Sequence, residues 1–287
     1  MPRARKALAA AGLQVIVEVP AQELASLHDV LRPLGSPPPL IVAAGGDGTV
    51  GAVADKLAFT ELVLGILPLG TSNDFARSLG ISSNIDRAVA LLTVGKVATV
   101  DLGRVTTAGG KATHFAHAAT AGLNVNFAKL ATRASLRKRM RRLTYAVAAA
   151  VAFRHRDPFD CTLVHDGEAQ SLRLTQLSVI NAPVFGGFLG LRVAGSNTDD
   201  RLLDVLAVEV LPAYRMVLAA LYAVGRIKRP VKGVHPYHLR ELSVQCASPV
   251  ELAVDGEVLG TLPADFEVAG DALRVITPIQ FKDVDEL

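Results

Sequence analysis

The chain has 287 residues, half of them hydrophobic, and a formal net charge of only +3, so bulk charge does not indicate a polyanionic partner. It is long enough for two hydrophobic cores, but its richest apolar segments are shorter than the roughly 20 residues of a membrane-spanning helix. Its two cysteines, Cys161 and Cys246, exclude a disulfide framework and lack metal-ligand spacing. Because the first residues also lack the form of a signal peptide, we expect a cytoplasmic protein.

Helical and strand-like stretches alternate along the first hundred residues. The sequence predicts helices over 5–11, 22–31, 50–58 and 84–93, and strands over 13–19, 40–44, 62–67 and 98–102. Short, fully apolar strands separated by helices are typical of a parallel sheet that is covered on both faces. In such sheets ligands bind where strand ends meet helix starts. The turns after the strands at 40–44 and 62–67 are therefore the first candidates for a site.

The pattern changes after about residue 104. A basic helix is predicted over 135–153, and strands over 159–164, 172–180, 203–211, 241–246, 250–254, 264–268 and 272–276. Asp-Gly and Gly-Asp pairs at 166–167, 255–256 and 270–271 separate several of these strands, as in an antiparallel sheet or sandwich. His114 and His117 have no third ligand nearby and are interpreted as ordinary strand residues. The predicted fold class is α/β plus mainly β, a parallel-sheet domain followed by an antiparallel, β-sandwich-like domain.

The first turn between a strand and a helix contains Gly45, Gly46, Asp47, Gly48, Thr49 and Val50. Glycines let the backbone adopt positive φ and approach a bulky anion closely, and amides at the following helix start would point at phosphate oxygens. A carboxylate among phosphates is repulsive unless a divalent cation lies between them, and Mg²⁺ prefers such hard oxygen ligands. Taken alone, the loop is equally well interpreted as a strand-to-helix turn that merely needs glycine.

The next strand ends in a second turn of the same kind, Gly70-Thr71-Ser72-Asn73-Asp74. Asn73 or Asp74 could simply cap a helix. Two strand–glycine–carboxylate turns on neighbouring parallel strands would, however, place Asp47 and Asp74 at one sheet edge. A third motif, Asp255-Gly256-Glu257, is first of all a β-hairpin signal. A hairpin tip that faces the same cleft would satisfy both interpretations of this motif.

Together, GGDGTV at 45–50, GTSNDFAR at 70–77 and VDGE at 254–257 resemble the diacylglycerol kinase catalytic family. The bacterial soluble lipid kinases are the nearest match, and sphingosine and ceramide kinases are relatives. TVDLGRV at 99–105 and DDRLLDVLAV at 199–208 follow in the expected order. The resemblance implies a nucleotide-binding domain over 1–103, with 277–287 a candidate to rejoin it, and a lipid-substrate domain over 104–276. It also implies a kinase that uses ATP and Mg²⁺ to phosphorylate a hydroxyl of a diacylglycerol-like lipid.

The resemblance further implies roles for individual residues. The ATP phosphates would lie against the two glycine turns, with these residues at the nucleotide: Gly45, Gly46, Asp47, Gly48, Thr49, Val50, Gly70, Thr71, Asn73 and Asp74. Asp101 resembles the carboxylate that reaches the nucleotide's Mg²⁺ through water. Asp255 and Glu257 resemble the pair that activates the lipid hydroxyl as general base.

The sequence departs from the family pattern in three places. Family members open with a strand and an Asn-Pro-x-Ser/Ala-Gly loop that this sequence lacks, so we expect the true start to lie upstream. Gly51-Ala52 replaces the common Asn-Glu after the first glycine turn. Asp199-Asp200-Arg201 replaces Asp-Asp-Gly at a structural Mg²⁺ site that the resemblance implies, with Asp200 and the backbone carbonyls of Asn197 and Leu202 as ligands.

The predicted basic helix has an apolar stripe and a second face that carries Arg137, Lys138, Arg141 and Arg142. Such a helix suits docking on anionic headgroups, although a solvated charged helix on the protein's own core is an equal alternative. We therefore expect peripheral contact with the inner membrane surface, where the lipid substrate lies. The segment lacks interleaved aromatic residues, and no nucleic-acid-binding motif is present. The oligomeric state stays open, a homodimer included.

Two other functions stay open. NAD kinases also carry GGDGT, so a small-molecule kinase of the NAD-kinase type is one alternative, against which GTSNDFAR argues. A degenerate, non-catalytic protein that binds nucleotide or lipid is the other, because the opening phosphate loop is absent.

Overall fold

The computed structural model describes residues 2–31, 39–123, 157–185, 191–192, 197–223, 227, 229 and 231–281. The predicted basic helix, with Arg137, Lys138, Arg141 and Arg142, lies outside the described residues. No helix within the described ranges is long and apolar enough to cross a bilayer.

The described helices are short, and most of them belong to the first third of the chain. They are α1 (Pro2–Ala10), a 3₁₀ turn (Ala21–Ser26), α2 (Leu27–Leu31), α3 (Asp47–Leu57), α4 (Asp74–Ser78), α5 (Ile85–Val94) and α6 (Ala213–Ala223). Helix α5 begins at an N-cap, because the Asn84 side chain accepts hydrogen bonds from the N–H groups of Asp86 and Arg87. Helix α6 was not predicted from the sequence.

Fifteen strands are described, and thirteen of them form a single sheet. They are β1 (Ile41–Gly45), β2 (Val63–Pro68), β3 (Lys96–Thr107), β4 (Ala112–Phe115), β5 (Ala118–Gly122), β6 (Phe159–His165), β7 (Glu168–Ile180), β8 (Val184–Phe185), β9 (Leu191–Arg192), β10 (Leu203–Glu209), β11 (Val234–Leu239), β12 (Glu241–Cys246), β13 (Val250–Val254), β14 (Glu257–Leu262) and β15 (Ala264–Thr277). β8 and β9 pair with each other in a separate small sheet.

The pairing directions divide the main sheet into the two predicted kinds of structure. β1 is parallel to β2, with Ile41 opposite Leu64, and β2 is parallel to the end of β15. The other described pairs, such as β6 with β7 and β13 with β14, are antiparallel. The predicted fold class, α/β plus mainly β, is therefore confirmed.

β15 belongs to both parts of the sheet. It runs antiparallel to β12 and along β3, and its Arg274 and Val275 pair with β2. The predicted turn at 270–271 is wrong, because the two predicted strands are one strand with an irregularity between Ala269 and Leu273. The pairing with β2 lies inside the range predicted for the second domain. The boundaries at 1–103 and 104–276 stay a prediction.

Two large hydrophobic clusters fill the molecule. The first joins the helices to the parallel strands and includes Leu57, Leu64, Ile66, Phe75 and Leu79. The second lies between the antiparallel strands and includes Phe115, Leu163, Leu174, Leu177 and Phe266. In a small third cluster, Ala219 of α6 packs against Val208, Leu211 and Val234.

Residues 13–19, a predicted strand, belong to no helix or strand, and Val15, Ile16 and Val17 are exposed. Among the described strands, β1 pairs only with β2. An apolar cavity of about 530 Å³ lies between residues 13–19 and β1. A strand needs a hydrogen-bonding neighbour as well as an apolar sequence, and the described residues supply none at 13–19.

Candidate functional site

The two glycine turns are in direct contact at the carboxyl ends of β1 and β2. A Cβ atom on Gly70 would lie 2.5 Å from the Cα of Gly46, so neither position tolerates a side chain without backbone movement. Asp47, in the first turn of α3, accepts a hydrogen bond at Oδ1 from the N–H of Phe75 at 3.1 Å. The sequence predicted this shared edge, and the structure brings the two turns together there.

Asn73 closes the second turn. Its Oδ1 accepts from the N–H of Gly70 at 2.9 Å, and its Nδ2 donates to the Gly70 carbonyl at 3.0 Å. Its φ of +51° lies in the left-handed region, which asparagine tolerates better than most residues. Asn73 therefore shapes the turn, and its side chain is buried in doing so.

The remaining residues of these turns differ in exposure. Thr71 is exposed at the rim, whereas Asp74 is buried, with Arg77 Nη1 3.8 Å from its Oδ1. Val50 is buried in the core and donates its N–H to the Gly46 carbonyl at 3.0 Å. The positions of the turn residues do not by themselves show which of them contact a nucleotide. The predicted nucleotide contacts stay predictions.

The tip of the β13–β14 hairpin rests on the start of α3. A Cβ atom on Gly48 would lie 3.0 Å from Glu257 Oε1, and one on Gly51 would lie 2.1 Å from Asp255 Oδ2. Asp255 and Gly256 form the hairpin turn with φ of +48° and +88°. All three sequence motifs thus meet at one place, although the first ends at residue 50 and the last begins at residue 254.

Asp255 faces inward, and backbone donors surround its carboxylate. Oδ2 accepts from the N–H of Ala116 at 2.8 Å, and Oδ1 accepts from those of His117 and Ala118 at 2.9 and 3.1 Å. Burial raises the pKa of Asp255, while His117 and the three amides oppose that rise. Its neighbour Glu257 is exposed at the hairpin tip.

A chain of hydrogen bonds connects this carboxylate to the second glycine turn. The N–H of His117 donates to Asp255, and His117 Nε2 lies 2.9 Å from the Val184 carbonyl. The N–H of Val184 donates to Ser78 Oγ at 3.0 Å, and that hydroxyl donates to the Asp74 carbonyl at 2.9 Å. His117 was interpreted as an ordinary strand residue, and no sequence signal marks its contact with Asp255.

Asp101 lies in β3, and backbone donors occupy both of its carboxylate oxygens. Oδ2 accepts from the N–H of Arg201 at 2.7 Å, and Oδ1 accepts from that of Asp271 at 2.9 Å. Burial raises the pKa of Asp101, and these two amides oppose the rise. Asp101 therefore fixes the bulge of β15 to the loop before β10. Its predicted water-mediated contact with Mg²⁺ stays a prediction.

The predicted structural Mg²⁺ site lies in the loop before β10. Asp200 Oδ1 accepts from the N–H of Leu202 at 3.0 Å, and Asn197 Oδ1 accepts from that of Thr198. Arg201, where the family pattern has glycine, adopts a φ of +58°, in the left-handed region that glycine adopts most easily. No group of three or more His, Cys, Asp and Glu side chains that could hold a metal occurs in the described part of the chain. Because the predicted ligands are mainly carbonyls, this site stays a prediction.

Comparison with protein-family models gives two matches. Residues 2–105 match the model described as "Diacylglycerol kinase catalytic domain", and residues 117–277 match "YegS C-terminal NAD kinase beta sandwich-like domain". The two matched ranges together contain all three motifs of the site.

Several proteins are similar along most of this chain. A diacylglycerol kinase of Mycobacterium tuberculosis H37Rv is 28% identical over 83% of this chain and 76% of the relative. A Pseudomonas aeruginosa PAO1 protein named "Probable lipid kinase YegS-like" is 31% identical over 93% of this chain and 86% of the relative. An uncharacterized protein of Synechocystis sp. is 27% identical over 84% of this chain, which spans about half of that relative's length, 55%.

The solved structure of a diacylglycerol kinase from Bacillus anthracis Sterne shares this fold, with a TM-score of 0.69. The comparison covers 98% of this chain and 93% of that one at 20% sequence identity. At that identity the likeness shows the fold alone.

Proposed function

This chain belongs to the diacylglycerol kinase catalytic-domain family and is a lipid kinase, and we propose the reaction that it catalyses. The protein transfers the γ-phosphate of ATP, with Mg²⁺, to a hydroxyl of a diacylglycerol-like lipid at the inner membrane surface. The observation that carries the proposal is the contact between three motifs. The two glycine turns touch each other, and the Asp255-Gly256-Glu257 tip touches the helix that starts at the first turn.

The two glycine turns suit nucleotide phosphates. Helix α3 begins at Asp47, and the N–H groups of a helix start favour an anion. Gly46 and Gly70 let the two turns lie backbone against backbone, so the starts of α3 and α4 stand next to each other. Asp47, at the start of α3, is half-buried and supplies the hard oxygen donors that fit Mg²⁺, whereas Asp74 is buried beside Arg77. Mg²⁺ bound with the nucleotide would neutralise phosphate charge, and the Asp47 carboxylate would help to hold it there.

The hairpin tip suits acceptance of the proton from the lipid hydroxyl. A general base must lie within hydrogen-bond reach of the proton that it accepts. Burial raises the pKa of Asp255, but three backbone N–H groups occupy its buried carboxylate. Glu257 is exposed, and its carboxylate lies beside Gly48 at the start of α3. We assign the general-base role to this pair, with Asp255 holding the tip in place and Glu257 reaching the hydroxyl.

The structure decides which substitution tests this role cleanly. An asparagine at 255 would turn an NH₂ group toward backbone N–H donors that the carboxylate now satisfies, and unpaired buried donors cost about 1–3 kcal/mol each. Asp255→Asn is therefore expected to lower stability as well as activity. Glu257→Gln and Asp47→Asn avoid this problem, because Glu257 is exposed and an asparagine at 47 can still accept from Phe75.

The test is transfer of labelled γ-phosphate from ATP to diacylglycerol in mixed detergent micelles. We expect a lipid phosphate from the unsubstituted chain and at least about a 100-fold lower rate from Glu257→Gln and from Asp47→Asn. Glu241→Gln, an exposed glutamate on β12, is the matched control and should keep its rate. Full activity of either site variant would refute the assigned roles. Absence of product from the folded unsubstituted chain with Mg²⁺ present would favour a non-catalytic binding protein.

One observation favours a second candidate, a soluble small-molecule kinase. The model that matches residues 117–277 is described as NAD kinase beta sandwich-like. The same assay with NAD in place of lipid separates the two. Phosphorylation of NAD without detergent or lipid would replace the lipid-kinase proposal.

A further inference from the structure

Helix α6 is apolar on two opposite faces. Its inner face packs Met216, Ala219 and Tyr222 against the small third cluster beneath it. On the other side Tyr214 and Val217 are 62% and 61% exposed, and Leu218 is 37% exposed. These three residues, which we call the outer face of α6, are spaced three and four residues apart and so lie side by side. A helix that is apolar all round normally has both sides covered, so this face is expected to have a partner.

The charged residues in and next to α6 along the sequence have one sign. Residues 210–233 contain five lysines and arginines and no aspartate or glutamate. Arg215 lies over the Tyr214 ring, 5.7 Å from its centre, and Arg229 and Lys232 are exposed just after the helix. The nearest preceding acid, Glu209, is paired with His235. The partner is therefore expected to be anionic and to accept apolar side chains.

Two candidate protein partners do not complement the positive charge next to the outer face of α6. Residues 124–156 of the same chain contain nine lysines and arginines and no acid, so they would repel the surface. A second copy that used the same face would bring cations against cations. A nucleic acid would match the charge, but it would leave Val217 and Leu218 without an apolar partner.

We propose that the outer face of α6, with Arg215, Arg229 and Lys232, docks on an anionic lipid bilayer. The choice of a bilayer as the partner rests on the proposed lipid-kinase function, because the acceptor lipid is itself embedded in a membrane. Tyrosine is favoured at the boundary between headgroups and acyl chains. Val217 and Leu218 insert below it, and the cations bind lipid phosphates. This surface consists of described residues and is separate from the basic segment predicted at 135–153.

The test is flotation of the full chain with vesicles of phosphatidylcholine, with and without phosphatidylglycerol. We expect binding to the anionic vesicles that decreases with added salt. Val217→Asp should lower the binding constant at least about tenfold, and Arg229→Glu with Lys232→Glu should lower it about fivefold or more per residue. Val94→Asp is the matched control, since Val94 is a 66%-exposed valine at the end of another helix. It should bind as the unsubstituted chain does.

A second measurement separates this proposal from the proposed function. Val217→Asp should still phosphorylate diacylglycerol in detergent micelles at the unsubstituted rate, because Val217 has no part in the site. Equal vesicle binding by Val217→Asp and Val94→Asp would overturn the docking surface even if the kinase reaction is present. If Val217→Asp disrupts a dimer and leaves vesicle binding unchanged, the outer face of α6 binds a second copy of the chain, and the membrane-docking proposal is overturned. Val217-dependent vesicle binding by a chain that transfers no phosphate would refute the kinase and support the surface.

Discussion

Gly51 shows how one absent side chain shapes the site. It lies inside α3, where alanine would ordinarily stabilise the helix by about 1 kcal/mol. A Cβ atom here would lie 2.1 Å from Asp255 Oδ2 and 3.0 Å from Asp255 Cβ. The carboxylate cannot move aside freely, because three backbone N–H groups hold it. Gly51 therefore leaves open the space that the Asp255 carboxylate occupies.

We predict that Gly51→Ala reverses the usual effect of this substitution in a helix. The variant should lose about 2 kcal/mol of unfolding free energy in urea, because overpacking and loosened bonds to Asp255 outweigh the gain in helix propensity. Its rate of phosphate transfer should fall as well. Gly109→Ala is the control, since a Cβ there meets nothing within 4 Å. An unchanged or higher stability of Gly51→Ala would show that Asp255 moves freely.

At the scale of elements, a single carboxylate links α3 to β4. Asp55 accepts from the backbone N–H of His114 at 2.8 Å and lies 3.1 Å from His114 Nδ1. Burial raises the pKa of Asp55, but the bonds from His114 and the charge of Lys56 together lower it to about 2. Asp55 thus connects α3 to β4, and the backbone N–H groups at 116–118 that donate to Asp255 follow directly after β4.

We predict that Asp55→Asn lowers the unfolding free energy by about 1–2 kcal/mol at neutral pH, because the ionised acceptor is lost. A lowered pKa in the folded state stabilises at pH above the ordinary value of 3.8, and this stabilisation is lost as pH falls toward about 2. In urea titrations the difference in unfolding free energy between Asp55→Asn and the unsubstituted chain should therefore become smaller below pH 3.8. Asp160→Asn, a 77%-exposed acid on β6, should have little effect at any pH. A difference in unfolding free energy that does not depend on pH would contradict this explanation.

The sequence predicted best those strands that consist of a continuous apolar run. β1 and β2 were predicted nearly to the residue, because each is a continuous apolar run. Residues 13–19 have the same composition but join no ladder, since pairing depends on a neighbour that the pattern does not describe. β15 was predicted as two strands, because Gly270-Asp271 resembles a turn. The bulge there is held by Asp101, which is 170 residues away in sequence.

The site could be predicted only in part, for a similar reason. The glycine turns and the Asp-Gly-Glu tip carry signals in their own residues. The Asp255 carboxylate, however, is satisfied by the backbone of 116–118, and a backbone N–H leaves no trace in a sequence. Gly51 was one available signal, as a glycine inside a predicted helix often marks close packing.

At the scale of the whole molecule, the two matched family ranges do not correspond to two separate sheets. β15 supplies a parallel neighbour to β2 and an antiparallel neighbour to β3 and β12. We predict that the chain unfolds in one transition, with equal calorimetric and van't Hoff enthalpies. Residues 1–105 alone should lack stable structure, because β2 and β3 would both lose their pairing with β15. Two resolved heat-absorption peaks, or a cooperatively folded 1–105 fragment, would refute this.

The same strand also sets the order of events during synthesis. β1 and β2 leave the ribosome early, but the strand that must lie beside β2 ends at Thr277. At ordinary elongation rates of about 5–20 residues per second, the first two strands wait roughly 10–40 seconds for that neighbour. β2 therefore cannot complete its native pairing while the residues between it and β15 are being made. It reaches its final position in the sheet only after β15 has left the ribosome.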